Sequence, residues 1–397
     1  MIFLYNYGME KKFYHIVTYG CQMNVHESEK LAAICEKMGY IETDQRENAD
    51  LIVFNTCAIR EGAEDRVFGN VGALKKLKKQ KPSLIIALCG CMTQKETTAN
   101  YILQTFPFVD IVIGTFNLPN FEHYVNAVKV GRELEKMKKQ KRKNSRQLEI
   151  FVEGDIDESV PYKRSSGENA WVNIMQGCNN FCTYCIVPYV KGREKSRTEE
   201  NILKEIKQVL AEGKYKKITL LGQNVNSYGK DLPKPVSFAQ LLKDICALDG
   251  DFKVTFMTSH PKDLTDELID VIATEEKVMK EIHLPAQSGN NRVLKLMNRC
   301  YTREKYLDII HKIREKIPNA RITSDFIVGF PTETEEEFQD TMSLVEEVKF
   351  DGIFAFIYSP REGTVASKMD GQIPFEIKQR RVNELLALEK KIQAGEK

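Results

Sequence analysis

Three cysteines that lie close together in the sequence are the residues best suited to metal chemistry. Cys178, Cys182 and Cys185 fall within eight consecutive positions, so their thiols can reach one centre from a single loop. Thiolates at such spacing bind zinc or an iron–sulfur cluster. A structural zinc site needs four protein ligands, and no second cysteine pair or close histidine follows this loop. We therefore expect a cubane cluster with one iron open to a ligand, with zinc or a disulfide as less favoured alternatives.

Three further cysteines stand at the ends of apolar runs. Cys21, Cys57 and Cys91 each end a run with the length and composition of a buried parallel strand, and a helical pattern follows each run. The carboxyl ends of neighbouring strands in an open α/β sheet form the crevice where ligands bind. We therefore expect these residues to converge as a second cluster site. The alternative is that they are ordinary core residues, because cysteine is often buried.

The third position of this second set has two candidates, Cys89 and Cys91. Strand alternation sends both side chains to the same face. Cys91 follows Gly90, where the strand should turn into a loop, so we choose Cys91 as the ligand. Cys35 and Cys246 lie inside helical runs and are expected in the core. We call Cys178, Cys182 and Cys185 the loop triplet, and Cys21, Cys57 and Cys91 the strand-end triplet.

Composition excludes several classes of protein. With 397 residues the chain is long enough for two or three domains with their own cores. Charged residues make up 29% of the chain but the net charge is only +2, so no global basic field indicates nucleic acid. No apolar run approaches the ~18 residues of a membrane span, and the amino terminus does not resemble a signal peptide. We expect a soluble cytoplasmic protein with reduced thiols and no membrane contact.

The chain divides into an amino-terminal domain, a basic connection and a larger domain. Residues 1–130 alternate strand and helix, which predicts a small doubly wound α/β domain. Its expected strands lie near 13–19, 51–55, 84–89 and 109–113. Residues 131–167 read as a basic linker, which is either a solvated connection or a patch that grips a phosphate backbone. In the latter case Lys138, Lys139 and Arg142 would contact RNA.

From residue 168 to 376 a second alternation predicts six strand–helix units. The expected strands are 171–175, 217–221, 253–257, 281–284, 322–328 and 353–358. The expected helices are 202–212, 238–248, 266–273, 291–297, 303–316 and 335–348. Long helical connections require parallel strands, and six such units can curl into a partial (β/α)6 TIM-like barrel with its site at the strand carboxyl ends. Residues 377–397 are expected to form a carboxyl-terminal helix.

Small polar groups follow several of these barrel strands. Gln223 and Asn224 follow the second strand and Ser288 follows the fourth, as expected for contacts to a cofactor. His260 and His283 lie in similar places and are not expected to be catalytic. A second basic stretch, 191–197, lies directly beyond the loop triplet. Its Arg193 and Arg197 are the further candidates for RNA contacts.

The cysteine motifs together resemble a known family. The loop triplet matches the CxxxCxxC motif of radical S-adenosylmethionine enzymes. With Thr-Tyr-Gly-Cys-Gln-Met-Asn at 18–24, Asn-Thr-Cys at 55–57 and Cys-Gly-Cys-Met at 89–92, nearly the whole chain resembles the methylthiotransferase family of these enzymes. The stretches 258–264 and 283–289 are similar to the members that make 2-methylthio-N6-isopentenyladenosine in tRNA.

This resemblance implies a mechanism with two 4Fe–4S clusters. The loop triplet would hold the cluster that binds S-adenosylmethionine and splits it reductively to a 5′-deoxyadenosyl radical, which takes hydrogen from carbon 2 of the modified adenine at position 37. The strand-end triplet would hold the cluster that carries the inserted sulfur, and a second S-adenosylmethionine would supply the methyl group. Carbon 2 has no acidic hydrogen and no leaving group. Acid–base chemistry by side chains therefore offers no route, and a cofactor must carry the step.

The resemblance also implies partners and leaves alternatives open. The partners would be the anticodon loop of tRNA, a reductase such as flavodoxin or ferredoxin, and a sulfur donor or cluster carrier. Related enzymes act instead on threonylcarbamoyladenosine or on an aspartate of a ribosomal protein. A non-enzymatic iron–sulfur protein for electron transfer or scaffolding would need both clusters saturated by protein ligands. Family members usually continue into an RNA-binding β-barrel, and we expect that domain to be missing here after the helical run 377–393.

Overall fold

The computed structural model describes residues 11–58, 63–138, 146–151, 154, 156, 158, 162–164 and 167–395. The chain separates into two compact units, Met1–Ser165 and Ser166–Lys397, and each is considered by itself. Within the described residues, no helix combines the length and the apolar composition that a membrane span requires.

The first unit is built on one parallel sheet whose strand order is β2-β1-β3-β4-β5-β6. Its strands are β1 Lys12–Thr18, β2 Tyr40–Glu42, β3 Leu51–Thr56, β4 Ile85–Gly90, β5 Ile111–Ile113 and β6 Gln147–Glu149. Its helices are α1 Gln22–Lys37, α2 Ala63–Gln80, α3 Glu96–Thr105 and α4 Phe121–Lys138. The four strands that the sequence predicts are present, and β2 and β6 are additional.

Helices cover both faces of this sheet. Every residue of β3 and β4 is buried, because alternate side chains enter two different cores. Leu51 and Val53 pack in a core with residues of α1 and α4. Ile52 and Phe54 pack on the opposite side with residues of α2 and α3. The predicted doubly wound α/β domain is confirmed.

The predicted boundary at residue 130 is too early. Helix α4 continues to Lys138, and β6 pairs with β5 as the sixth strand of the sheet. Arg146, just before β6, donates to the backbone oxygen of Val109 at 2.9 Å. The segment predicted as a basic linker therefore contains the end of α4 and the edge strand β6. Of the predicted RNA contacts here, Lys138 is the last residue of α4, while Lys139 and Arg142 lie outside the described residues.

The second unit contains the six predicted barrel strands and one additional hairpin. Its strands are β7 Asn169–Asn173, β8 Met175–Gln176, β9 Lys195–Ser196, β10 Lys217–Leu221, β11 Lys253–Phe256, β12 Glu281–His283, β13 Arg321–Val328 and β14 Gly352–Ile357. Its helices are α5 Val187–Lys191, α6 Glu199–Ala211, α7 Phe238–Cys246, α8 Asp266–Thr274, α9 Asn291–Leu296, α10 Arg303–Lys316, α11 Glu335–Val348 and α12 Phe375–Gln393.

Six of these strands follow one another in sequence order to form a curved parallel wall. Strands β7, β10 and β11 form one sheet, and β12, β13 and β14 form another. A parallel bridge from Val254 in β11 to Val278, just before β12, connects the two sheets. The face that carries Val172, Leu220 and Phe326 packs against the helices in a single core. The expected partial TIM-like barrel is confirmed. The opposite face of its strands lines the inside of the barrel.

Local capping explains where the barrel helices begin. The residue before each of five helices has a hydroxyl that accepts a hydrogen bond from a backbone N–H of the first turn, which satisfies an otherwise unpaired donor. These residues are Thr198, Ser237, Thr265, Thr302 and Thr334. The predicted bounds of α10 and α11 agree with the structure, because both helices begin at such a signal.

Candidate iron–sulfur and cofactor sites

A short hairpin holds both ends of the loop that carries the loop triplet. Strands β8 and β9 pair antiparallel, so the two ends of the loop between them lie next to each other. Gly177 has φ +82°, and a Cβ there would lie 2.0 Å from the backbone oxygen of Arg193. The N–H of Cys178 donates to the oxygen of Gly192 at 3.1 Å. Gln223, predicted to contact a cofactor, instead accepts a bond from the Gly177 N–H at 2.5 Å and supports the loop.

The middle of the loop is attached to the end of α9. Thr183 donates its N–H to the backbone oxygen of Met297 at 3.1 Å and its hydroxyl to that of Leu296 at 2.8 Å. Between these anchors, the Cys185 N–H donates to the Cys182 oxygen at 2.9 Å. The backbone around all three thiols is therefore fixed by bonds that do not involve the thiols themselves.

In this loop Cys182 is buried, and Cys178 and Cys185 are half-buried. Burial raises the pKa of Cys178 to about 11 and that of Cys185 to about 12. Such thiols ionise when a metal supplies positive charge, so the donor set fits an iron–sulfur cluster. In the described part of the chain, no three His, Cys, Asp or Glu side chains are grouped so as to hold a metal ion. The fit rests on the donor chemistry and on the fixed backbone.

The structure brings the strand-end triplet to one edge of the first unit's sheet. Cys21 follows β1 and occupies the position before the first residue of α1. Cys57 directly follows β3, and Cys91 directly follows β4. Strands β1, β3 and β4 are neighbours and run parallel, so their carboxyl ends lie side by side. Residues separated by about 35 positions along the chain therefore lie at the same edge of the sheet.

Two glycines allow the backbones at this edge to approach closely. A Cβ on Gly20, whose φ is +118°, would lie 2.6 Å from the Cβ and 3.0 Å from the Sγ of Cys57. A Cβ on Gly90, whose φ is +102°, would lie 2.4 Å from the backbone oxygen of Thr56. That same oxygen accepts a bond from the N–H of Cys91 at 3.0 Å. Side chains at these glycines would separate the three strand ends.

A pair of buried asparagines connects the start of α1 to the end of β3. The Asn24 amide donates to the Asn55 side-chain oxygen at 3.2 Å and to the Thr56 backbone oxygen at 2.9 Å. Asn55 donates in return to the backbone oxygen of Asn24 at 2.8 Å and to the Ser28 hydroxyl at 3.1 Å. The Cys21 thiol lies 3.5 Å from the Asn24 side-chain oxygen. Both asparagines lie in the motifs at 18–24 and 55–57, and the sequence alone predicted no role for them.

The competing cysteine of β4 lies in the core. Cys89 is fully buried among residues of α1 and α4, and its thiol lies 3.6 Å from the Phe54 oxygen. Cys91 stands one residue beyond the strand, at the edge that carries the other two members of its triplet. Cys35 and Cys246 are buried in the two units, as predicted.

Seven of the buried polar atoms without a hydrogen-bond partner among the described residues lie in or beside the barrel loops. They belong to segments at the carboxyl ends of β7, β10, β11 and β12, where a ligand of this fold binds. They are Asn173 Oδ1, Asn224 Oδ1, both amide atoms of Asn226, Ser259 Oγ, His260 Nε2 and Gln287 Oε1. An unpaired buried polar group costs about 1–3 kcal/mol, so these atoms fit a bound polar cofactor.

Two of the predicted cofactor contacts have different surroundings. Asn224 donates its amide to Asp263 at 2.7 Å and keeps its oxygen unpaired among the described residues. Ser288 is 1% exposed, accepts a bond from the Asn290 N–H at 3.2 Å and lies 3.4 Å from the Thr341 hydroxyl. The structure therefore does not support a cofactor contact for Ser288. Its hydroxyl instead contacts the backbone at the start of α9 and the Thr341 hydroxyl of α11.

The two arginines beyond the loop triplet also differ. Arg193 is exposed, and its guanidinium lies 4.3 Å from the ring centre of Phe181. Arg197 is 4% exposed, and it donates to Glu205 at 2.6 Å and to the backbone oxygen of Asn173 at 2.7 Å. The expectation of an RNA contact is therefore corrected for Arg197, whose charge is used inside the barrel unit.

The inner face of β12–β14 carries an aromatic surface that sequence reasoning missed. Strand pairing places His283, Thr323 and Asp325 on one face with Phe354 and Phe356. The His283 Nδ1 lies 2.9 Å from the Thr323 hydroxyl, and its Nε2 lies 3.5 Å from Asp325. The two phenylalanines are 56% and 51% exposed. Their alternation in Gly-Ile-Phe-Ala-Phe-Ile was the available signal.

Comparison with known proteins agrees with this arrangement. Residues 172–345 match the model of the radical SAM superfamily, and residues 13–114 match that of the uncharacterized protein family UPF0004. The chain is 53% identical over 382 residues to a tRNA-2-methylthio-N(6)-dimethylallyladenosine synthase of Clostridium botulinum strain Okra, covering 96% of this chain and 82% of that protein. The chain belongs to the methylthiotransferase family of radical S-adenosylmethionine enzymes.

Another relative and two solved structures extend the comparison. A synthase of the same name from Carboxydothermus hydrogenoformans is 51% identical, covering 96% of this chain and 84% of that protein. The radical S-adenosylmethionine methyltransferase TsrM from Kitasatospora setae matches 90% of this chain and 77% of its own, with 12% identity and a TM-score of 0.63. The cobalamin-dependent enzyme OxsB matches 96% of this chain and 56% of its own, with 14% identity and a TM-score of 0.56. These two likenesses concern the fold alone. As a methylthiotransferase of this family, the protein has S-adenosylmethionine and 4Fe–4S clusters as its cofactors.

Proposed function

We propose that this methylthiotransferase acts on N6-isopentenyladenosine at position 37 of tRNA and adds a methylthio group at carbon 2. The observation that carries the proposal is the presence of two separate cysteine triplets, one in each unit. The names of relatives at 51% to 53% identity support this substrate. Position 37 lies beside the anticodon in an unpaired loop, where a base can leave its stack at low cost.

The loop triplet is proposed to hold the cluster that binds S-adenosylmethionine. Three thiol ligands leave one iron for that cofactor, and when bound the pair supplies the one-electron chemistry that hydrogen removal from carbon 2 requires. The chain's own contribution is to fix the loop through Gly177 and Gln223. The unpaired oxygens of Asn224 and Gln287 are proposed as contacts to the cofactor's polar groups.

The strand-end triplet is proposed to hold the second cluster, which supplies the sulfur. Here the chain positions its thiols through the sheet, the two glycine approaches and the pair Asn24 and Asn55. Cys91 is proposed as the third ligand, because Cys89 lies inside the core.

His260 is proposed as a neutral hydrogen-bond donor at the barrel mouth. Burial lowers its pKa to about 2, and the charges of Arg299 and Lys262 add to this effect. Its Nδ1 accepts a bond from the Lys262 N–H at 3.2 Å, so the proton resides on Nε2. This Nε2 is buried and has no partner among the described residues. A ring in this state can bind a polar ligand, but it does not supply an acidic proton at neutral pH.

The inner face of the barrel favours a prenylated base over the alternatives. A flat base with an apolar branch can stack on Phe354 and Phe356, which expose aromatic surface. Threonylcarbamoyladenosine and aspartate both carry a carboxylate, which Asp325 on the same face would repel. This face therefore supports the isopentenyl substrate.

Further proposals concern partners and location. We propose that electrons come from a reductase such as flavodoxin or ferredoxin, and that a sulfur donor or cluster carrier restores the second cluster. Both would work in the cytoplasm, where tRNA is found. Arg193 is proposed as an RNA contact because it is exposed next to the loop triplet.

Nucleoside mass analysis tests the proposed function. The protein is reconstituted with iron and sulfide without oxygen, then incubated with S-adenosylmethionine, dithionite and anticodon stem-loops carrying isopentenyladenosine, threonylcarbamoyladenosine or plain adenosine at position 37. We expect the methylthio product from the isopentenyl RNA only. A product from threonylcarbamoyladenosine alone, or from a ribosomal-protein aspartate offered in parallel, would overturn the proposed substrate.

A further inference from the structure

We propose that Arg299 is a positioning residue for the loop cluster, and that its buried cation makes this cluster easier to reduce. Nη1 of its guanidinium donates towards the Sγ of Cys182 at 3.5 Å. The inference rests on the proposed cluster at the loop triplet. It assigns a function to a residue that is 117 positions away from that cysteine in sequence.

The guanidinium is held in one orientation by the surrounding backbone and a phenol. Its Nη2 donates to the backbone oxygen of Pro285 at 2.8 Å, and its Nε donates to the Tyr301 hydroxyl at 3.0 Å. Tyr301 in turn donates to the oxygen of Ala286 at 2.8 Å. With two sides of the planar group fixed in this way, the remaining Nη1 is directed at the thiol.

The charge of Arg299 lacks the carboxylate partner that other buried arginines have. Arg197 and Arg381 are each 4% exposed and lie within 2.7 Å of a glutamate oxygen. Arg299 is 8% exposed, and no carboxylate among the described residues lies within 4.0 Å of it. Burying an unpaired charge is costly, so an anion is expected beside it. The thiolate of Cys182, as a cluster ligand, provides that anion.

The cation is permanent under working conditions. A guanidinium is not deprotonated at any working pH, so Arg299 keeps its charge. A cation and an N–H donor beside a cluster ligand stabilise the more negative, reduced cluster. The reduction potential of the loop cluster is therefore higher with Arg299 than without it.

An EPR-monitored redox titration of the reconstituted full-length protein tests this effect. The signal that changes on adding S-adenosylmethionine identifies the loop cluster, and the strand-end cluster serves as an internal standard. For R299M we expect at least a tenfold loss in the reduction equilibrium constant, equal to a shift of ~59 mV to more negative potential. R299Q keeps an N–H donor without the charge and should shift less than R299M. R299K keeps the charge and should shift least.

A matched control separates this effect from a general one. Arg303 bonds to the Asp340 oxygen and to Glu347 and does not touch the loop, so R303M should leave both potentials unchanged. An R299M protein with full iron and an unchanged loop-cluster potential would overturn the inference. Should R299M lose iron, R299K decides, because its retained charge should keep the cluster; equal iron loss in R299K would show a purely steric role and also overturn it.

The outcome is distinct from that of the proposed function, because the titration uses no RNA. Wild-type protein with an iron cluster at the loop and no activity on tRNA would leave the inference standing while refuting the substrate. Wild-type protein without a cluster at the loop would remove the basis of both.

Discussion

Each of the two cysteine triplets offers three thiols, but the two are assembled in different ways. The loop triplet lies within eight residues, and one hairpin fixes both ends of its loop. The strand-end triplet comes from three neighbouring parallel strands and depends on their pairing across the sheet. The first arrangement is a property of a short segment. The second exists only when the whole first unit is folded.

This difference determines which substitutions should damage each site. The loop triplet should tolerate changes in its unit that leave the hairpin and the end of α9 in place. The strand-end triplet should be sensitive to any change that separates β1, β3 and β4, even one that spares every cysteine. The following predictions test that contrast.

The largest effect is expected when the loop triplet is removed. Changing Cys178, Cys182 and Cys185 together to Ala should abolish cleavage of S-adenosylmethionine, because the iron that binds it is lost. Iron should fall from about eight to about four atoms per chain, by cluster stoichiometry. Iron analysis and chromatography of 5′-deoxyadenosine measure both. Iron content that does not change would show that the loop binds no cluster.

Removal of the strand-end triplet should separate the two activities. With Cys21, Cys57 and Cys91 changed to Ala, methylthiolation should stop while 5′-deoxyadenosine is still formed, because the radical site lies in the other unit. Of the single variants, C91A should lose the second cluster's iron and C89A should retain it. The reverse result for this pair would mean that Cys89 is the ligand.

A change that spares the cysteines should still weaken the strand-end site. Asn55→Ala breaks the bonds to Asn24 and Ser28 and leaves buried polar groups unpaired, at a cost of about 1–3 kcal/mol. We expect partial loss of the second cluster's iron and no loss from the loop cluster. Asn48→Ala is the control, because Asn48 makes an exposed bond to Gln45 and should alter stability by less than about 0.5 kcal/mol. Equal iron loss in the two variants would refute a positioning role for Asn55.

Binding of tRNA should respond differently in the two basic regions. Neutralising the residues after 135 should weaken binding and flatten its salt dependence, by about 0.7 in slope for each single-strand phosphate that the protein no longer neutralises. Turnover at saturating tRNA should stay near normal. The residues to change are Lys136, Lys138, Lys139, Lys141, Arg142 and Lys143. R193M should instead lower turnover even at saturation. An unchanged salt slope in the first variant would identify that run as a solvated connection.

The smallest effect concerns acid stability of the barrel unit. The pKa of His260 is lowered to about 2 in the fold, from an ordinary value near 6.5. Below about pH 6.5 the unfolded chain therefore binds a proton at His260 that the folded chain does not bind. The free energy of unfolding falls as pH decreases. Above pH 6.5 this contribution is fully present. H260Q should reduce the loss by up to about 1.4 kcal/mol per pH unit between pH 6 and 4.5, as measured by denaturant unfolding. If the free energy of unfolding changed equally with pH in wild type and H260Q, the assignment of a neutral His260 would be contradicted.

The elements that were predicted correctly carry a local signal in the sequence, and those that were missed do not. All six barrel strands were predicted, because long apolar runs alternated with helical patterns and capping residues. Strand β6 was missed, because three residues in a basic stretch carry no periodicity. Arg197 was taken for a surface cation, because its partner Glu205 is visible only once α6 packs on the barrel.

The sequence by itself determined the two sets of thiols, the order of strands and helices, and the membership of a family. Spacing within a loop and periodicity along a strand are properties of neighbouring residues, so they can be read from the chain. Only the tertiary structure decided that Arg299 lies beside Cys182 and that Phe354 faces the barrel interior. Contacts of that kind join residues more than a hundred positions apart or depend on which face of a sheet the helices cover. No short stretch of sequence contains that information.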